Sequence, residues 1–381
     1  MKYTYNKNLE NCTPSKIREF NTIANKLGAK YKLTLGEPDF NTPDVIKDAA
    51  ICAINDNHTR YAPTVGTLDL RQKVCEFEER YNKVKYQPDE VLITSGSTEA
   101  LTACLFTILN PGDEVIVPIP CYALYEPVIS FCQAKFVALD TRPSFQINKD
   151  SLEKLITPRT KAILITSPNN PTGTIYDNET LENIYNLVKD TDILVLCDNC
   201  YEQLIYGKRE LGFSKFQDIR DQIVVCQSFS KPYAMTGWRL GYMLANKELC
   251  DKISIIHQYM VVCVNTFVQD AGIKALEYTP TEMLKTYERR RDYVYKRLCD
   301  MKLDVIKPDG AFYLFPSIKE FNMTSFDFCY KLVEEKKVAL IPGSCFLTDD
   351  YVRISYCVDD DTIENAMNLL EEFVNELRNK K

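Results

Sequence analysis

The stretch that decides the fold occupies residues 228–242 and reads SFSKPYAMTGWRLGY. It follows a short apolar run at residues 223–226, which predicts a buried parallel strand. In doubly wound α/β sheets, ligands bind at the carboxyl ends of such strands. The stretch brings Lys231, Arg239 and two serine hydroxyls to that position. An amine can form a Schiff base with an aldehyde, and the other groups can hold a phosphate by charge-assisted hydrogen bonds. The stretch therefore predicts a site for a cofactor that carries both an aldehyde and a phosphate.

The same stretch resembles the lysine signature of the class I/II aminotransferases, the fold-type I pyridoxal-phosphate enzymes. The matching pieces are Ser228-x-x-Lys231 and the Gly-Trp-Arg-Leu-Gly run at residues 237–241. The similarity continues in matching order from about residue 30 to about residue 360. The resemblance implies pyridoxal 5′-phosphate as the cofactor and Lys231 as its Schiff-base residue. The phosphate ligands expected from this stretch are Ser228, Ser230 and Arg239.

Short apolar runs alternate with helical patterns along most of the chain, which favours an α/β fold with a mainly parallel sheet flanked by helices. The resemblance implies the fold-type I architecture, in which a smaller α/β domain is built from the N- and C-terminal segments. We expect the large, cofactor-binding domain at residues 46–279, and the small domain at residues 1–45 together with 280–381. Residues 253–276 are predicted to form one amphipathic helix.

Composition limits the possible partners and compartment. Charged residues make up 26% of the 381 and the net charge is −7, so we do not expect a nucleic-acid partner. No run of 18 apolar residues occurs, so no membrane-spanning helix is expected. The 15 cysteines, an odd number, come with a polar start that lacks a secretory leader. This combination favours reduced thiols in a cytoplasm.

Two local patterns could suggest a special role, and for both we predict an ordinary one. Cys197 and Cys200 form a Cys-x-x-Cys pair, but the only histidines that could complete a zinc site are His58 and His257. We therefore expect the two cysteines to pack around a strand end, and we expect no metal. Residues 289–291 are three arginines within a helical pattern, flanked by acidic residues. We expect them to form a solvated helix face.

A second anion site is predicted where the strand at residues 89–94 turns into a helix. Gly96, Ser97 and Thr98 form that turn. Free backbone amides and the helix dipole converge at such a turn, although many α/β turns look alike. Within the resemblance it is the phosphate cup, with the backbone amides of Ser97 and Thr98 as donors.

Further strand ends carry groups suited to a cofactor ring. Asp198 could simply cap a helix, but a carboxylate beside the ring nitrogen would keep that nitrogen protonated, so that the ring withdraws electrons. The resemblance gives Asp198 this role and places Tyr122 flat on the ring. It also assigns Asn170 and Tyr201 to the phenolic oxygen, so that Asp198 and Tyr201 join the lysine as expected catalytic residues. Position 199 is asparagine where the family more often has glutamate, which leaves the matched residues unchanged.

The remaining matches concern the substrate and the subunit arrangement. Arg353 lies in an apolar strand, where an unpaired charge is costly, and only a guanidinium grips a carboxylate with two parallel prongs. The resemblance implies that Arg353 and Asn170 hold the substrate carboxylate, and that the backbone of Gly36 approaches it. Tyr61 matches a tyrosine that reaches the neighbouring subunit's cofactor phosphate, which implies a homodimer. The helix predicted at 253–276 has no arginine for a second substrate carboxylate, a device that some aspartate aminotransferases take from this region.

These matches imply an aminotransferase of amino-acid metabolism that moves the α-amino group of an L-amino acid to a 2-oxo acid by a ping-pong mechanism. A carbon–sulfur β-lyase on the same fold is an alternative, because the cofactor permits both outcomes. A ligand-sensing part of a transcription regulator would need a DNA-binding domain, for which residues 1–30 are too short. No pocket residue in the sequence is diagnostic of the amino donor.

Overall fold

The computed structural model describes residues 3–4, 6–9 and 14–380. Its α-helices are α1 (Lys16–Lys26), α2 (Asp44–Asn55), α3 (Leu68–Tyr81), α4 (Ser97–Ile108), α5 (Tyr125–Phe131), α6 (Lys149–Glu153), α7 (Asn178–Val188), α8 (Lys247–Val261), α9 (Thr266–Glu277), α10 (Thr281–Asp300), α11 (Ser325–Lys336) and α12 (Asp360–Asn379). Its strands are β1 (Tyr31–Lys32), β2 (Val91–Thr94), β3 (Glu114–Ile119), β4 (Lys135–Asp140), β5 (Thr160–Thr166), β6 (Leu194–Asp198), β7 (Ile223–Ser228), β8 (Gly241–Leu244), β9 (Tyr313–Leu314), β10 (Val338–Ala339), β11 (Ile341–Pro342) and β12 (Val352–Ser355). None of these helices combines the length and the apolarity that a membrane crossing requires.

A seven-stranded sheet with the order β2-β8-β7-β6-β5-β3-β4 forms the centre of the molecule. Strand β8 runs antiparallel to both of its neighbours, and the other adjacent pairs are parallel. Alternate residues of the middle strands enter different apolar clusters: Ile163 and Ile165 belong to one, Ala162 and Leu164 to the other. Because successive side chains of a strand point to opposite faces, both faces of the sheet are buried. The predicted α/β fold with a mainly parallel sheet is confirmed.

A third apolar cluster joins the two ends of the chain. It contains Phe20 and Leu33 together with side chains of α10, α11 and α12, such as Leu298, Phe328 and Phe373. Strand β1 pairs in parallel with β10, and β11, β12 and β9 form a small antiparallel sheet beside them. The N-terminal and C-terminal segments therefore share one core. The limits predicted for the two domains stay a prediction.

The single helix predicted at residues 253–276 is wrong, because the chain forms two helices there, α8 and α9. The break falls at Val262, whose φ of 65° and ψ of −60° are far from helical values. Helix α8 packs against α4, whereas α9 packs against α2 and α3. The break therefore lets consecutive helices reach different neighbours. Apolar residues continue through it, so the sequence pattern does not reveal it.

The solvated face predicted for residues 289–291 is wrong for two of its three arginines: Arg289 is exposed, whereas Arg290 and Arg291 are buried. Arg290 bridges two carboxylates: its Nη1 lies 2.8 Å from Asp39 and its Nε lies 2.8 Å from Asp360. These partners are distant in sequence, so the local pattern could not show them. Buried charges are retained where they are paired and hydrogen-bonded, and this pairing ties α10 to α12 and to the N-terminal segment.

Candidate active site

A cleft of about 570 Å³ opens where three parallel strands of the central sheet end. Its wall includes Thr166, Asp198 and Ser228, the last residues of β5, β6 and β7. The predicted site residues that line it are Gly36, Ser97, Thr98, Tyr122, Asn170, Asp198, Tyr201, Ser228, Ser230, Lys231, Arg239 and Arg353. Gly96 and Tyr61 do not line it. Residues from most of the length of the chain thus converge on one space.

Lys231 places its amine inside this cleft. Its Nζ donates a hydrogen bond of 2.5 Å to the backbone carbonyl of Gly36. Burial lowers the pKa of the Lys231 amine below its usual value, since a low-dielectric environment disfavours the charged form. The amine is therefore easier to deprotonate than a surface lysine, as a nucleophile or a base requires.

Asp198 is a buried carboxylate at the base of the cleft, with 3% of its surface exposed. The Tyr125 hydroxyl donates to its Oδ2 at 2.8 Å, and the Thr166 hydroxyl lies 2.6 Å from that same tyrosine oxygen. Because the Tyr125 hydroxyl has one proton and donates it to Asp198, the Thr166 hydroxyl must donate to Tyr125. Burial raises the pKa of Asp198, and the bond from Tyr125 opposes that rise. A cation beside this carboxylate would stabilise its charged form.

Arg353 is a buried guanidinium without an ionic partner in residues 3–4, 6–9 and 14–380. Its Nη1 donates to Asn170 Oδ1 at 2.8 Å and its Nη2 to the Thr34 carbonyl at 2.5 Å. Its carbon lies 4.5 Å from the ring centre of Tyr313 and 4.9 Å from that of Phe346. Its Nε is buried and has no hydrogen-bond partner. A buried guanidinium that has no ionic partner and an unbonded Nε is suited to bind a carboxylate.

The start of α4 and Arg239, for which a phosphate site is predicted, both contribute to the wall of the cleft. Arg239 reaches the backbone carbonyls of Ser95 and Thr236 at 3.3 and 3.2 Å. Gly96, just before the helix, has φ of 80°, and a Cβ there would lie 2.8 Å from the Arg239 guanidinium. Glycine thus gives Arg239 its space without itself lining the cleft. Across the cleft wall, Ser228 Oγ accepts a bond of 3.1 Å from the Ser230 amide.

Tyrosines close the side of the cleft next to the lysine. The hydroxyls of Tyr201 and Tyr313 are 2.7 Å apart. Gly36 packs against Tyr313 so closely that a Cβ at this position would collide with its hydroxyl. The predicted close backbone approach at Gly36 therefore has a physical basis, although the group that approaches it here is a tyrosine.

Tyr122 and Tyr61 occupy contrasting positions. The Tyr122 side chain lines the cleft and meets Tyr125 edge to face, with ring centres 5.9 Å apart. The Tyr61 side chain is 87% exposed and takes no part in the cleft of its own chain.

Sequence reasoning missed several residues of the site. Tyr125, Thr166 and Tyr313 contact the predicted residues directly. Thr166 could have been found, since it ends an apolar strand just as Asp198 does. Tyr125 and Tyr313 lie in stretches that also carry other aromatic residues, so only their positions in space distinguish them.

The cysteine pair shows no sign of metal binding in the part of the chain that the structure describes. There, no group of three or more His, Cys, Asp or Glu side chains could hold a metal ion. Cys197 lies in an apolar cluster, and Cys200 lines the cleft and packs against another cluster. Both thiols pack at the end of β6, as predicted.

Comparison with known proteins places the chain in a family. Residues 29–370 match the family described as aminotransferase class I and II. A probable N-acetyl-LL-diaminopimelate aminotransferase of Bacillus subtilis (strain 168) is 41% identical over 94% of this chain and 93% of its own. An aromatic-amino-acid aminotransferase 2 of Thermococcus litoralis is 36% identical over 97% of both chains. The crystal structure of an aspartate aminotransferase from Thermotoga maritima matches with a TM-score of 0.92 and 34% identity, over 97% of this chain and 100% of the other. The chain belongs to the class I and II aminotransferases.

The predicted enzyme class is thereby confirmed. All three of these relatives are named as aminotransferases, and their names differ in the amino donor. The carbon–sulfur β-lyase alternative gains no support from them.

Proposed function

We propose that this aminotransferase uses pyridoxal 5′-phosphate to move the α-amino group of an L-amino acid to a 2-oxo acid in two half-reactions. The observation that carries the proposal is the buried Arg353 guanidinium. It has no anionic partner in the described part of the chain, and it shares one cleft with the Lys231 amine and the Asp198 carboxylate. A substrate carboxylate, an aldehyde and a cationic ring nitrogen each find a complementary group there.

The residues present fit this cofactor. From phosphate to ring, those that would hold it are Ser97, Thr98, Ser228, Ser230, Arg239, Tyr122, Asn170, Tyr201 and Asp198. The space kept for Arg239 by Gly96 and the free amides at the start of α4 suit a phosphate. The buried carboxylate of Asp198 suits a protonated ring nitrogen, because that cation would offset the effect of burial on the carboxylate.

Lys231 is the proposed base. When bound, the cofactor supplies an aldehyde for covalent attachment and a ring that withdraws electrons from the substrate's α-carbon. The neutral Nζ of Lys231 takes the proton from that carbon and holds it until it is returned. Burial favours the neutral amine, and the Gly36 carbonyl, 2.5 Å away, gives Nζ a fixed resting position.

Arg353 and Asn170 are proposed to orient the substrate. The guanidinium is already fixed by Asn170 Oδ1 and by the Thr34 carbonyl, so little reorganisation is needed when a carboxylate arrives. The free Nε–H and the charge of Arg353 then find an anionic partner. Fixing the α-carboxylate at one point directs the α-carbon toward the lysine side of the cleft.

We also infer a homodimer of two-domain subunits in a reducing compartment such as the cytoplasm. The exposed Tyr61 supports the dimer, because a residue that serves a neighbour's cofactor phosphate must point away from its own site. The apolar cluster shared by both chain ends supports a small domain made of residues 1–45 and 280–381, with 46–279 as the large domain. The cysteines of the described part are free, which supports a reducing compartment.

Borohydride reduction of the cofactor-loaded protein, followed by peptide mapping, tests the central assignment. The label should appear on Lys231, and Lys231→Ala should lower single-turnover transamination by roughly 10²- to 10⁴-fold because the base is lost. Lys247→Ala, which removes an exposed lysine, is the matched control and should behave like the wild type. A label on any other lysine, or a fully active Lys231→Ala protein, would defeat the proposal.

A further inference from the structure

Arg18, in the first turn of α1, also lines the cleft. Its side chain is exposed, and within residues 3–4, 6–9 and 14–380 it has no hydrogen-bond or ion-pair partner. It differs in this respect from the other arginines of the cleft, which are held by backbone carbonyls or by Asn170.

The proposed function assigns a role to every other cation that lines the cleft, but none to Arg18. Three other cations line the cleft, and the proposed function gives each one a role: Lys231 for the aldehyde, Arg239 for the phosphate and Arg353 for the α-carboxylate. Of the two carboxylates, the proposed function assigns Asp198 to the ring nitrogen. The other, Glu37, accepts a hydrogen bond of 2.6 Å from the Thr236 hydroxyl.

The surroundings of Arg18 extend the cleft into a second cavity of about 440 Å³. Arg18, Thr34, Leu35 and Glu37 line both spaces. Most of the surface that lines the second cavity is apolar, and Asn21, Asn25, Lys32 and Asp39 add polar side chains to its wall. The methylene groups of a substrate side chain that enters it would therefore meet apolar surface, and Arg18 would be within the same wall as a cation for a terminal carboxylate.

Arg18 and Arg353 both influence the same part of the cleft wall. Thr34, whose carbonyl binds Arg353, is part of the wall that Arg18 shares. Burial raises the pKa of the Tyr122 phenol and Asp198 adds to this, while the charges of Arg353 and Arg18 both oppose it. Two guanidiniums thus face the substrate space, one buried and fixed, the other exposed and unpaired.

We propose that Arg18 binds the side-chain carboxylate of a dicarboxylic L-amino acid, while Arg353 holds the α-carboxylate. This substrate assignment rests on the proposed function. A guanidinium can grip the second carboxylate with two parallel hydrogen bonds. Because Arg18 is exposed, its contribution is smaller than that of Arg353 and weakens with added salt.

Substrate pairs that differ only in the distal charge provide the kinetic test. The Arg18→Gln variant of the holoenzyme should lower the ratio of kcat/KM for glutamate over glutamine, and for aspartate over asparagine, by about tenfold. Lys16→Gln is the matched control, since Lys16 is an exposed cation of the same helix turn that lines neither cavity. Its ratios should stay within about twofold of the wild type. Unchanged ratios in Arg18→Gln would overturn the proposal.

A binding measurement without turnover separates this proposal from the function itself. By calorimetry, the cofactor-loaded protein should bind glutarate more tightly than butyrate, and Arg18→Gln should remove roughly tenfold of that preference. If glutarate has no advantage over butyrate, or keeps it in Arg18→Gln, Arg18 does not bind the distal carboxylate. This result stands whether or not borohydride labels Lys231, so a failure of either proposal can be recognised by itself.

Discussion

Among the residues of the site, Arg353 gives the most direct indication of what the cleft binds. The sequence predicted a functional arginine because a charge in an apolar strand is costly unless it is paired. The structure adds that its partners are an amide oxygen and a backbone carbonyl, and that Nε is left free. The guanidinium is therefore positioned by neutral groups, and its charge is available to a substrate.

Arg353→Lys should raise the KM for the amino acid by about 10- to 100-fold, with a smaller effect on kcat. A lysine amine is a point charge and cannot bond Asn170, the Thr34 carbonyl and a carboxylate in one plane. Steady-state kinetics with one amino donor measures this. Arg289→Lys, an exposed arginine paired with Asp360, should leave both constants unchanged. Equal KM values for Arg353→Lys and wild type would contradict the assigned role.

The residues of the site were predicted unevenly, and the reason is physical. Lys231 and Asp198 follow directly from chemistry at strand ends, and the structure brings them to one cleft. Tyr125 was missed, because its task is to donate to Asp198 across 73 positions of sequence. Arg18 was missed too, because an arginine for a second substrate carboxylate was expected within residues 253–276, far from Arg18 in the sequence.

Among the secondary-structure elements, the break between α8 and α9 could not be predicted from the hydrophobic pattern of the sequence. The apolar spacing is compatible with one long helix. Whether that helix breaks depends on tertiary packing, since α8 packs against α4 whereas α9 packs against α2 and α3. The break places Val262 at a positive φ, and a β-branched residue with a positive φ is a true conformational outlier.

Val262→Gly should therefore leave stability unchanged or raise it by up to about 1 kcal/mol. Glycine adopts positive φ without steric cost, but it also gains entropy in the unfolded chain, and the first effect is the larger for a β-branched residue. Thermal or urea unfolding gives the value. The control is Val261→Gly, one residue earlier and still inside α8, which should destabilise by about 0.5–1 kcal/mol. A clear loss of stability in Val262→Gly would argue against the positive φ.

At the scale of the whole molecule, a buried acidic network links α3 to strand β8 and to the loop after β6. Glu78 accepts hydrogen bonds of 2.6 Å from Tyr242 and from Asn82, and Asn82 also reaches Glu202 at 3.2 Å. Burial, and then the nearby Glu202 carboxylate, raise the pKa of Glu78 to about 7. The folded protein therefore binds a proton at Glu78 more tightly than the unfolded chain does.

This difference gives stability a defined pH dependence. Between about pH 4.5 and 7 the folded state keeps a proton that the unfolded state has lost, so the contribution of Glu78 to stability falls as pH rises through this window. Relative to wild type, Glu78→Gln should become progressively more stable from pH 5 to pH 8 by urea unfolding. Glu79→Gln, the exposed neighbour paired with Lys85, should show no such trend. A difference between Glu78→Gln and wild type that does not vary with pH would refute the raised pKa.

The proposed subunit arrangement has its own test. Tyr61→Phe should weaken cofactor binding by about tenfold, because one hydroxyl donor to the phosphate is lost. Absorbance titration gives the affinity, and analytical ultracentrifugation should show a dimer for both proteins. Tyr259→Phe, which alters another strongly exposed tyrosine, is the control and should bind as the wild type does. A monomeric wild-type protein, or an unaltered affinity in Tyr61→Phe, would rule the arrangement out.

The pairing of β1 with β10 has a consequence for how the protein is made. Tyr31 lies opposite Val338, so the first strand has no partner until about 300 further residues have left the ribosome. At typical rates of synthesis that interval is on the order of tens of seconds. The strands of the central sheet, β2 to β8, have all been made long before then, whereas Arg353 on β12 follows later still. A newborn chain can thus assemble its lysine-bearing half early, and it gains the arginine proposed to bind the substrate only after β10 has been made.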